Sequence, residues 1–556
     1  MQAHAVARAA PPALAPRARR LPRDVRAVRR VLTTSESRAN QRRESSPDDR
    51  GARVPRRAAL AAAALSSAAS APNPADASPS SSAALVADTA RRAADIATGG
   101  AGPSTVVFQD ARVSVVPQPA PDGSGSPSRS RSPQVVPVAV WYPSRDPAPP
   151  NAVPAAYPHA ISVAKIARVL LGLPPSVPRW LDRECPLAAT RGVVAPGTDD
   201  SRSGSGSRSP PPGFEPTTLH AAVVLCHGYL GSRFDLVDLA EALAASGFLV
   251  VAPEFAESLA NPETTPSYAR PGKPPPKDAS ATRDEIVAET LRDIVRGRFG
   301  VDVPGTGADS SGTGAHSSGT GVHSSDSNAA ANARAPRVAI VGQSAGASTA
   351  TSTRGSFARV AVAGFRPPPI EETDARRALM RDPLLVVASA GDGVISLYPR
   401  ESGAFGPYAG IAAEVASLPG PPVPRFDAEG FVRAVSSRDQ PTPRAAFVTY
   451  EPERDSEEAS AAGSGKSQPC HISFLSSRTN DAMVETLSPL LPLARALRVP
   501  VLDFDVYQTT RDSDEVNAAL VPGVVGWLAA VLSRGDEGTG EGTGEDAAAD
   551  ANAAAV

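Results

Sequence analysis

The chain has 556 residues with 56 basic and 58 acidic side chains, a net charge of −2, 58 prolines, 44 glycines and 4% aromatic residues. The balanced charge excludes the broad basic surface of a nucleic-acid-binding protein, so we expect small-molecule or neutral partners and no nucleic acid. So much proline and glycine excludes a chain packed throughout, and we expect one catalytic-size domain with tails and insertions. The three cysteines, Cys185, Cys226 and Cys470, are too few for a disulfide framework and lack the paired spacing of a zinc site.

The first 100 residues are predicted to be a targeting segment and a linker. Residues 1–30 are rich in Arg and Ala and contain one acid, as organelle transit peptides do. Arg56 and Arg57 then precede a weakly apolar run that ends in small residues before residue 77, as in a signal peptide. The pair of signals resembles the bipartite targeting sequence of thylakoid-lumen proteins, so we expect a plastid protein. Secretion, or a leader without a targeting role, are the alternatives.

We predict one domain over residues 101–535 and an acidic disordered tail over residues 536–556. Four stretches rich in Gly, Ser, Pro and charge are predicted to be flexible insertions, because they cannot bury enough apolar surface to offset the entropy of ordering them. They are residues 117–134, 196–216, 302–335 and 451–468. No stretch after the leader has the ~18 consecutive apolar residues of a membrane span, so we expect no transmembrane segment, with peripheral contact with a lipid surface left open.

Apolar runs between these insertions alternate with helical patterns. A run at 135–143 that contains Pro137 indicates an antiparallel edge strand, where proline is tolerated. The run AAVVLC indicates a buried strand at 221–226; a helix ending at Gly247 and a second buried strand at 248–252 follow it. The apolar stripe of that helix is Leu236, Leu239, Ala240 and Leu243. Strand, helix and strand in this order predict a parallel crossover unit.

The same alternation continues toward the C-terminus. A helix is predicted over residues 283–299, and its apolar face consists of Ile286 or Val287, Leu291, Ile294 and Val295. Further strands are predicted at residues 337–341, 358–363, 383–389 and 445–450. The sequence therefore predicts an open, mostly parallel α/β sheet flanked by helices.

Ser344 lies in a G-x-S-x-G motif, three residues after the predicted strand 337–341. In such sheets functional groups gather at the carboxyl ends of the strands, and a sharp strand-turn-helix elbow would expose the serine hydroxyl there. Gly342 and Gly346 place no Cβ where helix and strand pack closely. Ser344 is therefore predicted to be a nucleophile. The helix that follows begins ASTATSTRGS, which is poor in helix formers, so we expect it to be short.

A serine nucleophile needs a base and an orienting acid, which in this type of fold follow it in the order Ser, Asp, His. His471 is the only histidine after Ser344, and an apolar segment that could anchor it follows. Asp392 lies in a Gly-flanked turn just after a predicted strand; a turn-forming role is the alternative. The carboxylates that fit less well are Asp374, Asp382, Asp427 and Asp481.

The loop CHGYLGS after strand 221–226 is predicted to face the nucleophile. Its Tyr229 backbone N–H and that of Ala345 are the expected oxyanion-hole donors. His227 precedes the nucleophile and is expected to shape this loop rather than act as the base. Cys226 and Cys470 adjoin loops at one sheet edge, so the alternatives are a disulfide between them or two free thiols. We expect free thiols. No metal or cofactor is required.

These residues together resemble the α/β-hydrolase superfamily, within it the branch of platelet-activating-factor acetylhydrolases, chlorophyllases and cutinase-like esterases. The stretches that carry the resemblance are VPVAVWYPS, YPHAISVAKIARVLLGLPPSVPRWL, VVLCHGYLGSRFDLVDLAEALAASGFLVVAPEF, VGQSAGAST and CHISFLS. The resemblance covers about residues 135–535. It implies an α/β-hydrolase fold, a serine carboxylic-ester hydrolase and an apolar lining for a lipid-like acyl or alkyl group from residues 157–181.

Two departures leave the substrate open. Gln343 stands where these families usually carry His, and Ala345 stands where chlorophyllases carry a basic residue. The strand after the nucleophile is followed by no Asp, so Asp392, one strand later, matches the general superfamily and the cutinase-like branch. We expect a lipid ester of the acetylhydrolase type, a 1-alkyl-2-acetylglycerophosphocholine, as the substrate. The alternatives are a chlorophyllase-like pigment esterase and a non-catalytic binding protein of the same fold.

Overall fold

The structure, a computed structural model, describes thirteen stretches of the chain, which are residues 105–117, 132–145, 147, 154–166, 182–194, 219, 221–260, 281–301, 337–401, 407–437, 441–451, 468–496 and 503–533. The predicted targeting segment, the acidic tail and the insertions at 196–216 and 302–335 lie outside these residues. The insertions at 117–134 and 451–468 also lie outside them except at their ends. The plastid location and the domain limits therefore stay predictions.

The described strands form one large sheet and one small one. They are β1 (Thr105–Val115), β2 (Gln134–Ser144), β3 (Pro154–Tyr157), β4 (Ala160–Ile161), β5 (Arg183–Glu184), β6 (Leu187–Val194), β7 (Ala221–Cys226), β8 (Phe248–Pro253), β9 (Val338–Gln343), β10 (Ala358–Val362), β11 (Leu384–Ser389), β12 (Arg425–Phe426) and β13 (Ala445–Tyr450). The large sheet has the order β12-β13-β11-β10-β9-β7-β8-β2-β1-β6-β3, and β4 pairs with β5. All neighbouring strands from β12 to β8 are parallel.

Helices cover the sheet on both faces. They are α1 (Val237–Ala245), α2 (Arg283–Val295), α3 (Ala345–Ser352), α4 (Thr373–Arg381), α5 (Ile411–Ala416), α6 (Ala428–Ser436), α7 (Ser477–Leu487), α8 (Leu491–Ala496) and α9 (Ser513–Ser533). Short 3-10 helices lie at His471–Phe474, Ser488–Leu490 and Tyr507–Thr509. The predicted fold class, an α/β fold with a mostly parallel central sheet flanked by helices, is confirmed.

Strand β7 shows why the central strands read as continuous apolar runs. Val223 and Leu225 pack in the core on the side of α1 and α9, whereas Val224 and Cys226 pack on the side of α2. Alternate residues of a strand point to opposite faces, so a strand covered on both faces is apolar at every position. The buried strand predicted at this position is confirmed.

The predicted stripe of α1 is buried, and the helix ends before Gly247, whose φ of +92° places it in the left-handed region. Helix α2 buries its predicted face except for Val295, which is 40% exposed, so the prediction that Val295 belongs to the core is wrong. Val295 is the last residue of the helix. Thr282 and Glu285 form a capping box at the start of α2. Such a cap contributes about 0.5–2 kcal/mol to stability.

The prediction of β2 as an edge strand is wrong. Strand β2 lies inside the sheet, antiparallel to both β1 and β8. Pro137 is tolerated because the β2–β8 pairing begins at Val138, opposite Pro253, so the missing N–H of Pro137 falls beyond the end of that ladder. The Pro137 carbonyl points the same way and accepts the N–H of Glu254 at 2.9 Å.

Among the described residues, Ser513–Leu532 of helix α9 is long and apolar enough to cross a membrane by length and composition. About 72% of this window is buried within the structure. The apolar residues Val516, Val525, Trp527 and Leu528 are fully buried in the core beside α1 and β10. Full burial of each such side chain contributes about 1.5–3 kcal/mol, so the sheet accounts for the apolar character of this helix.

Candidate active site

The topology brings Ser344, Asp392 and His471 to one edge of the sheet. Ser344 follows β9 directly, Asp392 comes three residues after β11, and His471 begins a 3-10 helix in the segment after β13. Strands β9, β10, β11 and β13 are consecutive parallel neighbours, so their carboxyl ends lie side by side. The three side chains therefore meet although 48 and 79 residues of sequence separate them along the chain.

The three side chains form a hydrogen-bonded chain. His471 Nδ1 lies 2.8 Å from Asp392 Oδ2, and His471 Nε2 lies 2.8 Å from Ser344 Oγ. A carboxylate accepts hydrogen bonds, so the hydrogen of the neutral imidazole sits on Nδ1 and donates to Asp392. Nε2 is then the acceptor for the Ser344 hydroxyl. Asp392 and His471 are buried, whereas Ser344 is half-buried.

Asp392 is held in place by its own loop. Its second carboxylate oxygen, Oδ1, accepts the backbone N–H groups of Val394 at 2.8 Å and Ile395 at 2.7 Å. These two donors fix the carboxylate orientation, so that Oδ2 faces His471. The turn-forming role weighed as an alternative for Asp392 is thus present together with the contact to the imidazole.

The pKa of His471 is raised by its neighbours. Burial is the largest single influence and lowers this pKa, but the charge of Asp392, its hydrogen bond to the ring and the charge of Asp503 together outweigh burial. The carboxylates therefore favour the imidazolium that forms when the ring takes a proton. An imidazole in this setting can act as a base toward Ser344.

Ser344 occupies a strained turn. Its φ of 57° and ψ of −118° lie outside the regions that residues with a Cβ favour. A Cβ on Gly342 would lie 1.9 Å from the carbonyl oxygen of Gly346, and one on Gly346 would lie 2.0 Å from the carbonyl oxygen of Cys226. The two glycines of the motif thus let α3 pack directly on β9 and β7. Helix α3 has eight residues and is short, as predicted.

Ala345 and the loop that carries Tyr229 lie beside the nucleophile. Ala345 is the first residue of α3, so its N–H has no partner within the helix. The loop of Tyr229 passes close by, since a Cβ on Gly228 would lie 3.2 Å from Ser344 Cβ. The role of both amides stays a prediction.

His227 supports the oxyanion loop and is not available as a base. Its Nε2 accepts the backbone N–H of Phe255 at 3.0 Å, so its hydrogen sits on Nδ1, which donates to the Gly228 carbonyl at 2.8 Å. Burial, with the nearby charge of Arg283, holds the pKa of His227 well below its usual range. These contacts agree with the loop-shaping role predicted for it.

Arg283 is a residue at the site that sequence reasoning missed. It lies at the start of α2 and donates to the carbonyl oxygens of His227 at 2.7 Å and Gly228 at 3.0 Å. Its guanidinium also pairs with Glu257 and lies 4.2 Å from the ring centroid of Phe255. In the sequence it is one of several charged residues at the start of a helix, and no local pattern marks its contact with a loop 55 residues earlier.

Asp503 was missed as well. Its Oδ2 accepts the backbone N–H of His471 at 3.0 Å and that of Gly393 at 2.7 Å. Its φ of 68° is unusual for a residue with a Cβ, although Asp is one of the types that adopt this region more readily. The only sequence signal is an Asp outside any predicted element, which is too weak to point to the site.

Gln343 and the carboxylates that fit the triad less well have contacts of their own. Gln343 is buried, and its amide nitrogen lies 3.5 Å from the carbonyl oxygen of His471. The carboxylates judged less suitable as the acid lie elsewhere: Asp374 pairs with Arg377, Asp382 pairs with Arg359, Asp427 caps α6, and Asp481 lies on α7. Cys226 and Cys470 are buried free thiols, and Cys185 is a half-buried one.

No group of three or more His, Cys, Asp or Glu side chains among the described residues is arranged to hold a metal ion.

No protein-family model matches the chain, and no curated protein sequence matches it. A solved structure similar to part of the chain is a ferulic acid esterase from Streptomyces cinnamoneus, with 20% sequence identity and a TM-score of 0.22 over 52% of this chain and 67% of the esterase. The branch of the superfamily that the sequence resembles therefore stays a prediction.

Proposed function

We propose that the protein is a serine carboxylic-ester hydrolase. The observation that carries this proposal is the hydrogen-bonded chain of Ser344, His471 and Asp392, with both contacts at 2.8 Å. A strained turn at the carboxyl edge of a parallel sheet presents the serine, as the chemistry of a nucleophile elbow requires.

In the proposed mechanism His471 Nε2 takes the hydroxyl proton as Ser344 Oγ attacks the ester carbonyl carbon. The carbonyl electron pair moves to the oxygen, and the backbone N–H groups of Tyr229 and Ala345 stabilise this oxyanion. The tetrahedral intermediate collapses, the bond to the alcohol oxygen breaks, and His471 returns the proton to the leaving alcohol. Water then attacks the acyl carbon while His471 Nε2 takes a proton from it, the bond from the acyl carbon to Ser344 Oγ breaks, and His471 returns the proton to Oγ, which releases the carboxylic acid and restores the serine. Asp392 keeps the imidazole in the productive tautomer throughout.

We further propose a lipid ester of the platelet-activating-factor acetylhydrolase type as the substrate. Leu230 and Leu259 form a small apolar cluster beside the oxyanion loop, with Tyr229 and Ile166 packed against it. Leu259 is joined to that loop by a hydrogen bond from its N–H to the Gly231 carbonyl at 3.2 Å. An apolar surface next to the oxyanion donors favours an apolar acyl or alkyl group. Residues 167–181, predicted as further lining, lie outside the described residues.

The non-catalytic alternative is suggested by the missing acid after β10 and by the long loop before His471. The contact of Asp392 with His471 at 2.8 Å argues against the first of these reasons. A binding protein would have no use for a general base paired with a strained serine, which favours the hydrolase.

Covalent labelling tests the proposal directly. A fluorophosphonate probe should label the wild-type full chain, and Ser344→Ala should abolish labelling because the attacking oxygen is gone. Thr349→Ala, a nearby hydroxyl on α3 that bonds the Ala345 carbonyl, should label like the wild type. A folded wild type that stays unlabelled contradicts the hydrolase proposal. Among short-acyl, 2-acetyl phospholipid and phytyl esters, we expect the acetyl phospholipid to give the highest kcat/KM; the highest value for the phytyl ester would favour the pigment esterase.

A further inference from the structure

One carboxylate oxygen joins the two loops that carry the proposed base and acid. Asp503 Oδ2 accepts the N–H of His471 itself and the N–H of Gly393, which directly follows Asp392. These donors are 32 and 110 residues from Asp503 in sequence. Three separate segments of the chain therefore meet at one atom, immediately behind the hydrogen bond between His471 and Asp392.

The junction is tightly packed. A Cβ on Gly393 would lie 2.2 Å from Asp503 Oδ1, so no larger residue fits there without movement of the carboxylate. The Asp503 carbonyl accepts the N–H groups of Val506 and Tyr507, both at 3.1 Å, which fixes the backbone at its positive φ. The carboxylate thus has a defined position relative to the chain that follows it.

Two donors converging on a charged acceptor make stronger hydrogen bonds than neutral pairs do. A second hydrogen bond joins the two loops, from Ser389 Oγ to the Pro469 carbonyl at 2.6 Å. Ser389 lies three residues before Asp392, and Pro469 lies two residues before His471. The Asp503 contacts act on the backbone of His471 and on the residue next to Asp392. Small errors in the placement of reacting groups can reduce rates about 100-fold, so this position is sensitive.

Asp503 also contributes charge. The charged groups that influence the imidazole are Asp392 and Asp503, both of which favour its protonated form. On the opposite side of the acid loop, Arg400 Nη1 donates to the Gly393 carbonyl at 2.6 Å. Burial raises the pKa of Asp503, and the charge of Asp392 acts in the same direction, whereas the N–H groups of His471 and Gly393 and the charge of His471 favour the ionised form. The imidazolium of the transition state therefore faces two carboxylates.

We propose, given the hydrolase function proposed above, that Asp503 is a positioning residue for the reaction. It holds His471 and Asp392 in hydrogen-bonding register through their backbones, and its charge helps to stabilise the imidazolium. It does not contact the substrate or exchange a proton with it.

Two substitutions separate these roles. Asp503→Gly removes the acceptor and the charge but accepts a positive φ without strain. Asp503→Asn keeps a neutral acceptor on a residue type that also tolerates this φ. The matched controls are Asp505→Gly and Asp505→Asn, because Asp505 is exposed and 3.8 Å from Arg495. Steady-state kinetics on a short-acyl ester over about pH 5 to 9, fluorophosphonate labelling and thermal unfolding are measured for all four variants and the wild type.

We expect Asp503→Gly to lower kcat about 10- to 100-fold with little change in KM, because binding does not depend on the register of the base. Asp503→Asn should restore kcat to within a few-fold of wild type and move the acid limb of kcat/KM to lower pH, because the charge that raises the pKa of His471 is lost. Both Asp505 variants should match the wild type.

The proposal is overturned if kcat of Asp503→Gly equals that of Asp505→Gly, or if the acid limb of Asp503→Asn coincides with that of Asp505→Asn. Should Asp503→Gly fail to fold, the pH profile of Asp503→Asn decides alone. An unlabelled wild type overturns the hydrolase proposal and this one together, whereas a labelled wild type with control-like Asp503 variants overturns only this one.

Discussion

Replacement of Asp392 by Asn tests whether this carboxylate sets the tautomer of His471. Asp392 Oδ1 accepts two backbone N–H groups, from Val394 and Ile395, and Oδ2 faces His471 Nδ1. Asn has one acceptor oxygen and one donor nitrogen in the same space. The two backbone donors require the oxygen at the Oδ1 position, so the amide nitrogen must face the imidazole.

The size of this preference follows from the two backbone contacts. A flipped amide would leave both N–H groups without an acceptor, at about 1–3 kcal/mol each. The total of about 2–6 kcal/mol corresponds to a preference of roughly 30-fold to 10⁴-fold. The amide nitrogen then donates to Nδ1 of His471 and leaves the hydrogen on Nε2, which can no longer accept the Ser344 proton. We expect kcat to fall by about 10⁴, the loss typical of a triad locked in the wrong tautomer.

The assay is kcat and kcat/KM on a short-acyl ester, with thermal unfolding as the check on folding. Asp374→Asn is the matched control, because it removes the same charge from an exposed position on α4. It should leave kcat unchanged. A folded Asp392→Asn protein that keeps more than about a tenth of the wild-type kcat would refute the reasoning from the two backbone donors.

Three further outcomes follow from the site. The plot of kcat/KM against pH should rise through an acid limb with a midpoint above pH 6.5. The reaction needs neutral His471, and the neighbouring carboxylates raise the pKa of His471 above its usual value of 6.5. A midpoint below pH 6.5 contradicts this prediction. Gly346→Ala should lower stability by about 1–3 kcal/mol and kcat at least 10-fold, because the added Cβ meets the backbone of β7. The control Gly355→Ala has no neighbour within 4 Å and a φ of +86°, so it should lower stability by about 1 kcal/mol and leave kcat unchanged. Chemical denaturation and steady-state kinetics distinguish the two variants. Arg283→Gln should lower kcat about 10-fold, because the loop that carries Tyr229 loses the two hydrogen bonds from Arg283. The control Arg292→Gln, on the exposed face of the same helix, should leave kcat unchanged. Equal kcat values for the two variants contradict a role for Arg283.

Much of the fold follows from local pattern. Strands β7, β8, β9, β11 and β13 were predicted within two residues at each end, because a strand covered on both faces is a continuous apolar run. The helix stripes were predicted for the same reason, with Val295 as the exception. These features depend on which side chains are apolar and on the period at which they recur.

Features that depend on pairing between distant segments were not predictable. Strand β1 was missed, and β2 was predicted at an edge. The neighbours of β2 in the sheet are β1 and β8, and no local pattern in the sequence of β2 identifies these partners. Helix α9 was not predicted as one continuous core helix, because Pro522 and two glycines interrupt its apolar sequence. Pairing and packing supply this information, and both are properties of the folded chain.

For the candidate site, the residue types and their order can be predicted from local sequence patterns. The G-x-S-x-G motif, one Asp after a later strand and one remaining His were enough to name Ser344, Asp392 and His471. Folding adds the two contacts of 2.8 Å from His471 to Asp392 and to Ser344, the position of the hydrogen on the imidazole, and the hydrogen bonds from Arg283 and to Asp503. The reason is physical: motif and order are written along the chain, whereas a hydrogen bond across up to 127 residues of sequence exists only once the sheet has brought its strand ends together.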